Sequence, residues 1–394
     1  MKPEVKSNTK EAELLLCCSR TQQSASTTAR IRELLEQQID WDYLFNLARR
    51  HALLPLLYIN LNAVAATALP AEKLTWLKQQ YQDNAARNLY LTAELGRVIS
   101  ALEGVGIEAV PYKGPALAAV AYGDVALRRY VDLDVMLRKH EVLRARDVLS
   151  RMGYQCHPAW NGPGEKFLLG SQHNIPLSRE AGRLLIELHW EVASERFASR
   201  LGAEQFWDRL QPLTLNGQKF RTLGAEDLLA ALCVHGAKHL WERLAWICDV
   251  AELLKANEHL NWQAVLERAQ VTGHERMLGL GLYLAKSLLG APVPDAVYLT
   301  VTTDRVIVSL AGEVKARLFN GTRPRPAGVG RTLIFNLRTH RTLSSRIRYC
   351  RLVLTPTDAD LKMIPLPYSM RSIYYLLRPF RLLAAGLQGS ARFE

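Results

Sequence analysis

The segment Tyr130-Val131-Asp132-Leu133-Asp134-Val135-Met136-Leu137 decides how the chain folds. Side chains on a strand alternate sides with period two. Asp132 and Asp134 are therefore expected on one face, with Val131, Leu133, Val135 and Leu137 on the other. Neighbouring carboxylates repel each other, and on an otherwise apolar strand they are costly unless a cation neutralises them. An edge strand with a hydrated acidic face is the alternative reading.

Further along, Leu184-Leu185-Ile186-Glu187-Leu188-His189-Trp190-Glu191 alternates in the same way. Leu184, Ile186, Leu188 and Trp190 fall on one side; Leu185, Glu187, His189 and Glu191 fall on the other. If the two strands pair, Glu187 becomes a third carboxylate beside Asp132 and Asp134. Hard oxygen donors favour Mg2+ or Mn2+, and two such ions can clamp the attacking and leaving oxygens of a phosphoryl or nucleotidyl transfer. A third acid completes such a site or accepts the nucleophile's proton. Upstream, Tyr112-Lys113-Gly114-Pro115 marks a strand-to-helix junction. Gly114 permits a close backbone approach, Pro115 suits the first helical position, and free N–H groups at a helix start attract phosphate, with Lys113 adding charge. The same K-G-P also describes an ordinary turn.

Outward from this centre the pattern changes twice. Before Gly104 and Gly106 the chain reads as helix, with apolar Trp41, Leu44, Phe45 and Ala48 on one face behind Asp40 as N-cap, then a long helix from Pro70 to Leu102. From Ile107 short strands alternate with helices: strands at 107–112, 130–137 and 184–190, helices at 115–121 and 141–152, and a loop at 158–170. This is an α+β or α/β core. After Gly224 helices return through Leu289, and a Pro/Gly-rich break at 322–331 leads into a basic tail.

The run Tyr112-Lys113-Gly114-Pro115-Ala116-Leu117, Tyr122, Arg128 and Asp132-Leu133-Asp134-Val135 resembles the signature of bacterial nucleotidyltransferase-family proteins in the DNA polymerase β-like superfamily. Ile186-Glu187-Leu188-His189-Trp190 is similar to the E-L-H-W segment of that branch, and the likeness extends over most of the chain. Two features depart from the pattern: K-G-P replaces the usual G-G or G-S turn, and Val131 replaces a small hydroxyl residue. The resemblance implies an α+β fold with a small mixed β-sheet nucleotidyltransferase core at residues 105–222. Helical regions at 1–104 and 223–300 and a basic, Arg-rich region at 301–394 flank it. It implies that Asp132, Asp134 and Glu187 bind two Mg2+ or Mn2+ ions with a nucleoside triphosphate. Lys113 and Gly114 would face the phosphates, and Arg128 would stabilise phosphate charge or the departing pyrophosphate. The implied reaction moves a nucleoside monophosphate onto an acceptor hydroxyl of a small molecule, RNA or protein. The alternative is a catalytically inactive member that binds nucleotide, RNA or a protein partner.

His235 and His239 share a helix face, and His173 and His189 are expected nearby as cleft-lining groups. A zincin pair is disfavoured because position 236 is Gly, not Glu. Trp241, Leu244 and Trp246 read as core, and Asp249 as a hydrogen-bonding partner in helix packing.

The net charge of +12 is unevenly placed: residues 301–394 hold 16 basic and 5 acidic side chains, leaving the first 300 residues almost neutral. No acid lies between Glu313 and Asp358, whereas Arg323, Arg325, Arg331, Arg338, Arg341, Arg346, Arg348 and Arg351 do. An anionic partner is expected for this region, whether nucleic acid, a phosphorylated ligand or an acidic membrane surface. A solvated helix face, or arginines docked against the protein's own acidic cleft, is the alternative. The segment Ser369–Leu387, with Arg371, Arg378 and Arg381 among apolar residues, fits a peripheral position on an anionic bilayer. No stretch reaches the roughly eighteen apolar residues of a membrane span. Six cysteines without a C-x-x-C pair, and an N-terminus without an apolar leader, lead us to expect a cytoplasmic protein.

Overall fold

The computed structural model describes residues 9–65, 68–161, 165–192, 197, 203–320, 328–355 and 373–387. Parts of the expected loop at 158–170, of the break at 322–331 and of the segment at 369–387 lie outside them, with Arg323, Arg325 and Arg371.

Five strands form one mixed sheet. They are β1 (Val110–Pro111), β2 (Leu133–Met136), β3 (Gln155–Cys156), β4 (Asn174–Arg179) and β5 (Leu184–His189), in spatial order β1-β2-β5-β4-β3. The β2–β5 pair is parallel and the other pairs are antiparallel. A separate hairpin joins β6 (Gln211–Leu215) to β7 (Gln218–Thr222). Helices flank the sheet on both sides in sequence, so the fold is α+β with a small mixed sheet, as the residue pattern and the resemblance imply.

Three expected elements differ, each for a local reason. β2 starts at Leu133 rather than Tyr130 because the long helix Ala71–Glu103 holds the preceding chain. Asn88 Nδ2 donates to Arg128 O at 2.7 Å, Tyr130 Oη to Asn88 O at 3.4 Å and Arg87 to Val131 O at 3.3 Å. Val131 is consequently 45% exposed instead of lining an apolar face. β1 is two residues long, not six: Pro111 has no N–H to contribute and belongs on a sheet edge. The expected loop at 158–170 contains a 3-10 turn, Pro158–Asn161, and a helix, Glu165–Ser171. There Trp160 is buried with its ring 6.1 Å from that of Trp190, and Arg146 ties the Trp160 carbonyl to Glu165. Tertiary contacts override the glycine and proline content.

One face of the sheet buries Leu133, Val135, Ile186 and Leu188 with Leu95 and Ile99 of the long helix and Ala145 and Leu149 of Val142–Arg151. The other face turns Val110, Tyr112 and Met136 toward a larger helical core. That core joins the N-terminal helices Trp41–Arg50 and Leu54–Ala65 to Ala225–Lys238, Leu244–Ala256, Glu275–Leu289 and Arg305–Leu318. Asp40 caps Trp41–Arg50, accepting from Tyr43 N at 2.9 Å. The helix Asp295–Thr303 runs across residue 300, and Ile307, Leu310 and Val314 beyond it belong to the same core.

Candidate active site

Strand pairing brings the acids together. In the parallel β2–β5 register Leu133 lies beside Ile186, Asp134 beside Glu187, and Met136 beside His189. Period two then puts Asp134, Glu187 and His189 on the face turned toward the helical core, while Leu133, Val135, Ile186 and Leu188 point the other way. Asp132 sits one residue before β2, half-buried.

Asp134 is 5% exposed and accepts two charged donors on Oδ1: Lys113 Nζ at 3.2 Å and His189 Nε2 at 3.0 Å. His189 Nε2 also lies 3.1 Å from Glu187 Oε2, so its N–H is shared between the strands. Asn174 Nδ2 donates to Glu187 Oε2 at 2.7 Å; it comes from β4, directly opposite His189. Tyr112 packs edge-on against the His189 ring at 5.5 Å.

These contacts set the protonation states. Burial alone would raise the Asp134 carboxyl, but the Lys113 charge and the His189 hydrogen bond hold it well below the usual carboxylate range. Burial likewise opposes ionised Glu187, and the His189 hydrogen bond outweighs it, lowering the carboxyl. His189 moves upward: burial disfavours the imidazolium, and hydrogen bonds to Asp134 and Glu187 overcome that cost. On Asp132 the cations Lys113 and Arg128 act more weakly. Burial and the charges of Asp134 and Glu187 push it up to about 6.

The K-G-P turn lies against the same segment. Gly114 has φ +52°, and a Cβ there would meet the Asp132 carbonyl oxygen at 3.2 Å. Only glycine combines that conformation with that approach. Lys113, immediately before it, reaches back into the acids.

Arg128 is placed differently from the other expected phosphate ligands. Its Nε and Nη2 donate to Asp249 Oδ1 and Oδ2 at 2.8 and 3.0 Å, and Tyr122 Oη donates to the same Oδ1 at 2.7 Å. Nη1 is buried with no hydrogen-bond partner. Asp249, on Leu244–Ala256, therefore clamps a core arginine to the helical region, a sharper role than helix packing alone.

The remaining histidines line the helical side. His173 Nε2 accepts from Lys238 Nζ at 3.2 Å, and its ring is 6.2 Å from that of His189. Burial and the cations Lys238 and His189 hold His173 well below its ordinary value. The His235 and His239 rings are 4.7 Å apart, and both pack on Trp246 at 5.3 and 5.5 Å. Burial, with Lys113 foremost among the cations, lowers His235 strongly. Trp241 and Leu244 are core residues. Asn174 and Lys238 join the site without having been singled out in the sequence, where an Asn before Ile-Pro-Leu and a Lys after Gly-Ala carry no pattern.

A divalent cation fits this donor set. Asp134, Glu187 and His189 each offer one ligand atom, all within 4.8 Å of one another. Asp132 lies outside that trio; burial first, and then the charges of Asp134 and Glu187, raise its carboxyl. His235 and His239 do not join such a cluster among the described residues.

A family model described as an uncharacterised nucleotidyltransferase matches residues 37–290. The match takes in the whole sheet, the acids, the K-G-P turn and both helices that supply His235 and Asp249. Comparisons with curated proteins and with solved structures gave no match. With well over half of its length covered, the chain belongs to this nucleotidyltransferase family.

Proposed function

We propose that the protein is a metal-dependent nucleotidyltransferase of the DNA polymerase β-like superfamily. It transfers a nucleoside monophosphate from a triphosphate to an acceptor hydroxyl. The observation that carries this reading is the parallel register that sets Glu187 beside Asp134, with Asp132 two residues upstream. Asp132, Asp134 and Glu187 hold Mg2+ or Mn2+, two ions in the presence of the triphosphate. When bound, the ions stabilise negative charge on the oxygens around the reacting phosphorus. The acceptor oxygen bonds to the α-phosphorus, the bond to the bridging oxygen breaks, and pyrophosphate leaves. Glu187 accepts the hydroxyl proton or completes the ligand set. Lys113 and the Gly114 backbone face the phosphates, and Nη1 of Arg128 is the one guanidinium nitrogen left over for them. Catalysis then rests on position and preorganised charge. The acceptor is a small molecule, an RNA or a protein side chain.

The test is incubation of the purified protein with each labelled triphosphate and Mg2+ or Mn2+. Pyrophosphate release that disappears in Asp132→Ala supports transfer. Absence of a thermal shift with saturating triphosphate and metal removes the nucleotide site.

One observation favours a second reading, a catalytically inactive binding member. Lys113 and His189 already pair with Asp134, so this acid is compensated by the chain's own cations. That reading predicts triphosphate binding with no pyrophosphate release and no dependence on added metal.

A further inference from the structure

Two C-terminal helices expose large apolar side chains. In Ile373–Leu387, Arg378 is 3% exposed and donates through Nε to Val353 O at 2.5 Å, which anchors this helix on Leu343–Leu354. Leu376 and Phe380 on the same helix are 70% and 72% exposed. Tyr375 shares their outward side. Tyr374 is buried beside Arg378, so the helix keeps one aromatic side chain inward while turning Leu376 and Phe380 away from the protein.

The helix Leu343–Leu354 repeats the arrangement. Ser345 and Tyr349 face inward, and Leu343, Ile347, Cys350 and Leu354 are all exposed. At about 100° per residue these four fall within an arc of about 60°. Arg346 borders the arc on one side and Arg351 on the other. Arg351 is exposed, and Arg346 is half-buried with Nε on His340 O at 3.1 Å. An aliphatic stripe with arginines along both margins lets the apolar groups enter hydrocarbon while the guanidinium groups stay at headgroup level.

We propose that these two helices form a peripheral docking face for an anionic lipid bilayer. Charge complementarity selects the occupant. No acid lies between Glu313 and Asp358, so the face carries no carboxylate of its own helix to repel anionic headgroups. Some tail arginines serve the fold instead: Arg338 is engaged by Glu313 and Ser309, and Arg341 lies 3.7 Å from Glu275. Those that border the stripe are the ones the bilayer would meet. Nucleic acid would use the arginines but leaves Leu343, Ile347, Leu376 and Phe380 with nothing to bury against. A second copy docked on the same patch would set arginine against arginine, because a two-fold interface presents identical surfaces. The proposal is independent of the transferase reading.

The experiment is co-sedimentation of the full chain with phosphatidylcholine vesicles, with and without about one quarter phosphatidylglycerol. Binding is expected only with phosphatidylglycerol, and it weakens as salt is raised. Leu376→Glu and Ile347→Glu each lower the vesicle affinity by about tenfold or more, and Arg351→Gln lowers it several-fold. All three sites are exposed, and an unchanged melting temperature verifies that each variant folds. Cys350 is the one exposed cysteine of the six, so a polarity-sensitive dye attached there reads insertion directly: its emission shifts to the blue on phosphatidylglycerol vesicles. Vesicle binding that is absent, or unchanged in the Glu variants, overturns the proposal. So does a dye signal that vesicles leave unmoved, or a wild-type dimer that Leu376→Glu converts to monomer.

Discussion

Asp134 and Arg378 are both charged and both almost fully buried, at 5% and 3% exposure, yet their surroundings have opposite logic. Around Asp134 polar groups answer the charge: Lys113 and His189 donate to it, Asn174 donates to Glu187 beside it, and Asp249 and Tyr122 hold Arg128. The apolar residues of β2 and β5 meanwhile point into the core. Arg378 donates to the Val353 carbonyl, and Leu376 and Phe380 of its helix face outward. The first region concentrates charge at one point, where charge can act on a reacting group. The second spreads arginine around exposed hydrocarbon, which acts on a surface. The excess charge of the chain and the cluster of buried acids are thus separate features, built by different physical rules.

The largest expected effect falls on Asp132, the one acid of the three with no ion pair among the described residues. Asp132→Asn should lower pyrophosphate release by roughly a thousandfold while raising stability. The sign follows from its pKa, pushed up to about 6 from the ordinary 3.8. A carboxyl raised in the folded state contributes stability below pH 3.8 and loses it as pH rises through 6, so at pH 7 ionised Asp132 is a cost. Thermal melts in chelator should therefore show the Asn variant more stable at pH 7 by about 1–3 kcal/mol, with little gain at pH 4. Added Mg2+ should stabilise the wild type and leave the variant unmoved. A variant no more stable than wild type at pH 7 would mean that Asp132 is already compensated.

Next in size is Asp249→Ala, which strands the Arg128 guanidinium and the Tyr122 hydroxyl in a buried joint. A loss of about 3–5 kcal/mol is expected, measurable by denaturant unfolding; a loss under about 1 kcal/mol would place the pair effectively in solvent. Gly114→Ala is smaller. The αL conformation costs about 1–2 kcal/mol for a residue with a Cβ, and the Asp132 carbonyl must yield, so triphosphate affinity should fall along with the melting temperature.

These sites differ in how far the amino-acid order reveals them. Period two is a local property, so the common face of Glu187 and His189 is legible, and so is the close backbone approach at Gly114. Pairing is not local: nothing in either strand states that β2 and β5 run parallel, and the acid cluster exists only through that register. β4 and the β6–β7 hairpin carry signals that sequence reasoning passed over, in the alternation of Ile175 with Leu177 and in Asn216-Gly217 between strand-like runs. The Arg128–Asp249 clamp joins residues 121 positions apart, and no spacing rule reaches that far. The shortening of β2 depends on Asn88 and Arg87, which look like ordinary polar positions of a long helix.

The smallest expected effect is the one that tests the comparison most directly. If the outer faces of the C-terminal helices are truly uncovered in solution, Leu376→Gln removes an apolar side chain that contributes nothing to folding, and stability should stay within about 0.5 kcal/mol of wild type. The same substitution at Leu310, fully buried in the helical core, removes packing and strands an amide, at a cost of about 3 kcal/mol or more. Melts of the two variants without lipid separate the cases. A Leu376 variant destabilised like the Leu310 variant would mean that part of the chain covers Leu376 in solution. The two regions would then obey one rule of burial rather than two. A neutral Leu376 variant leaves an apolar face whose role lies outside folding, which is what the vesicle experiment measures.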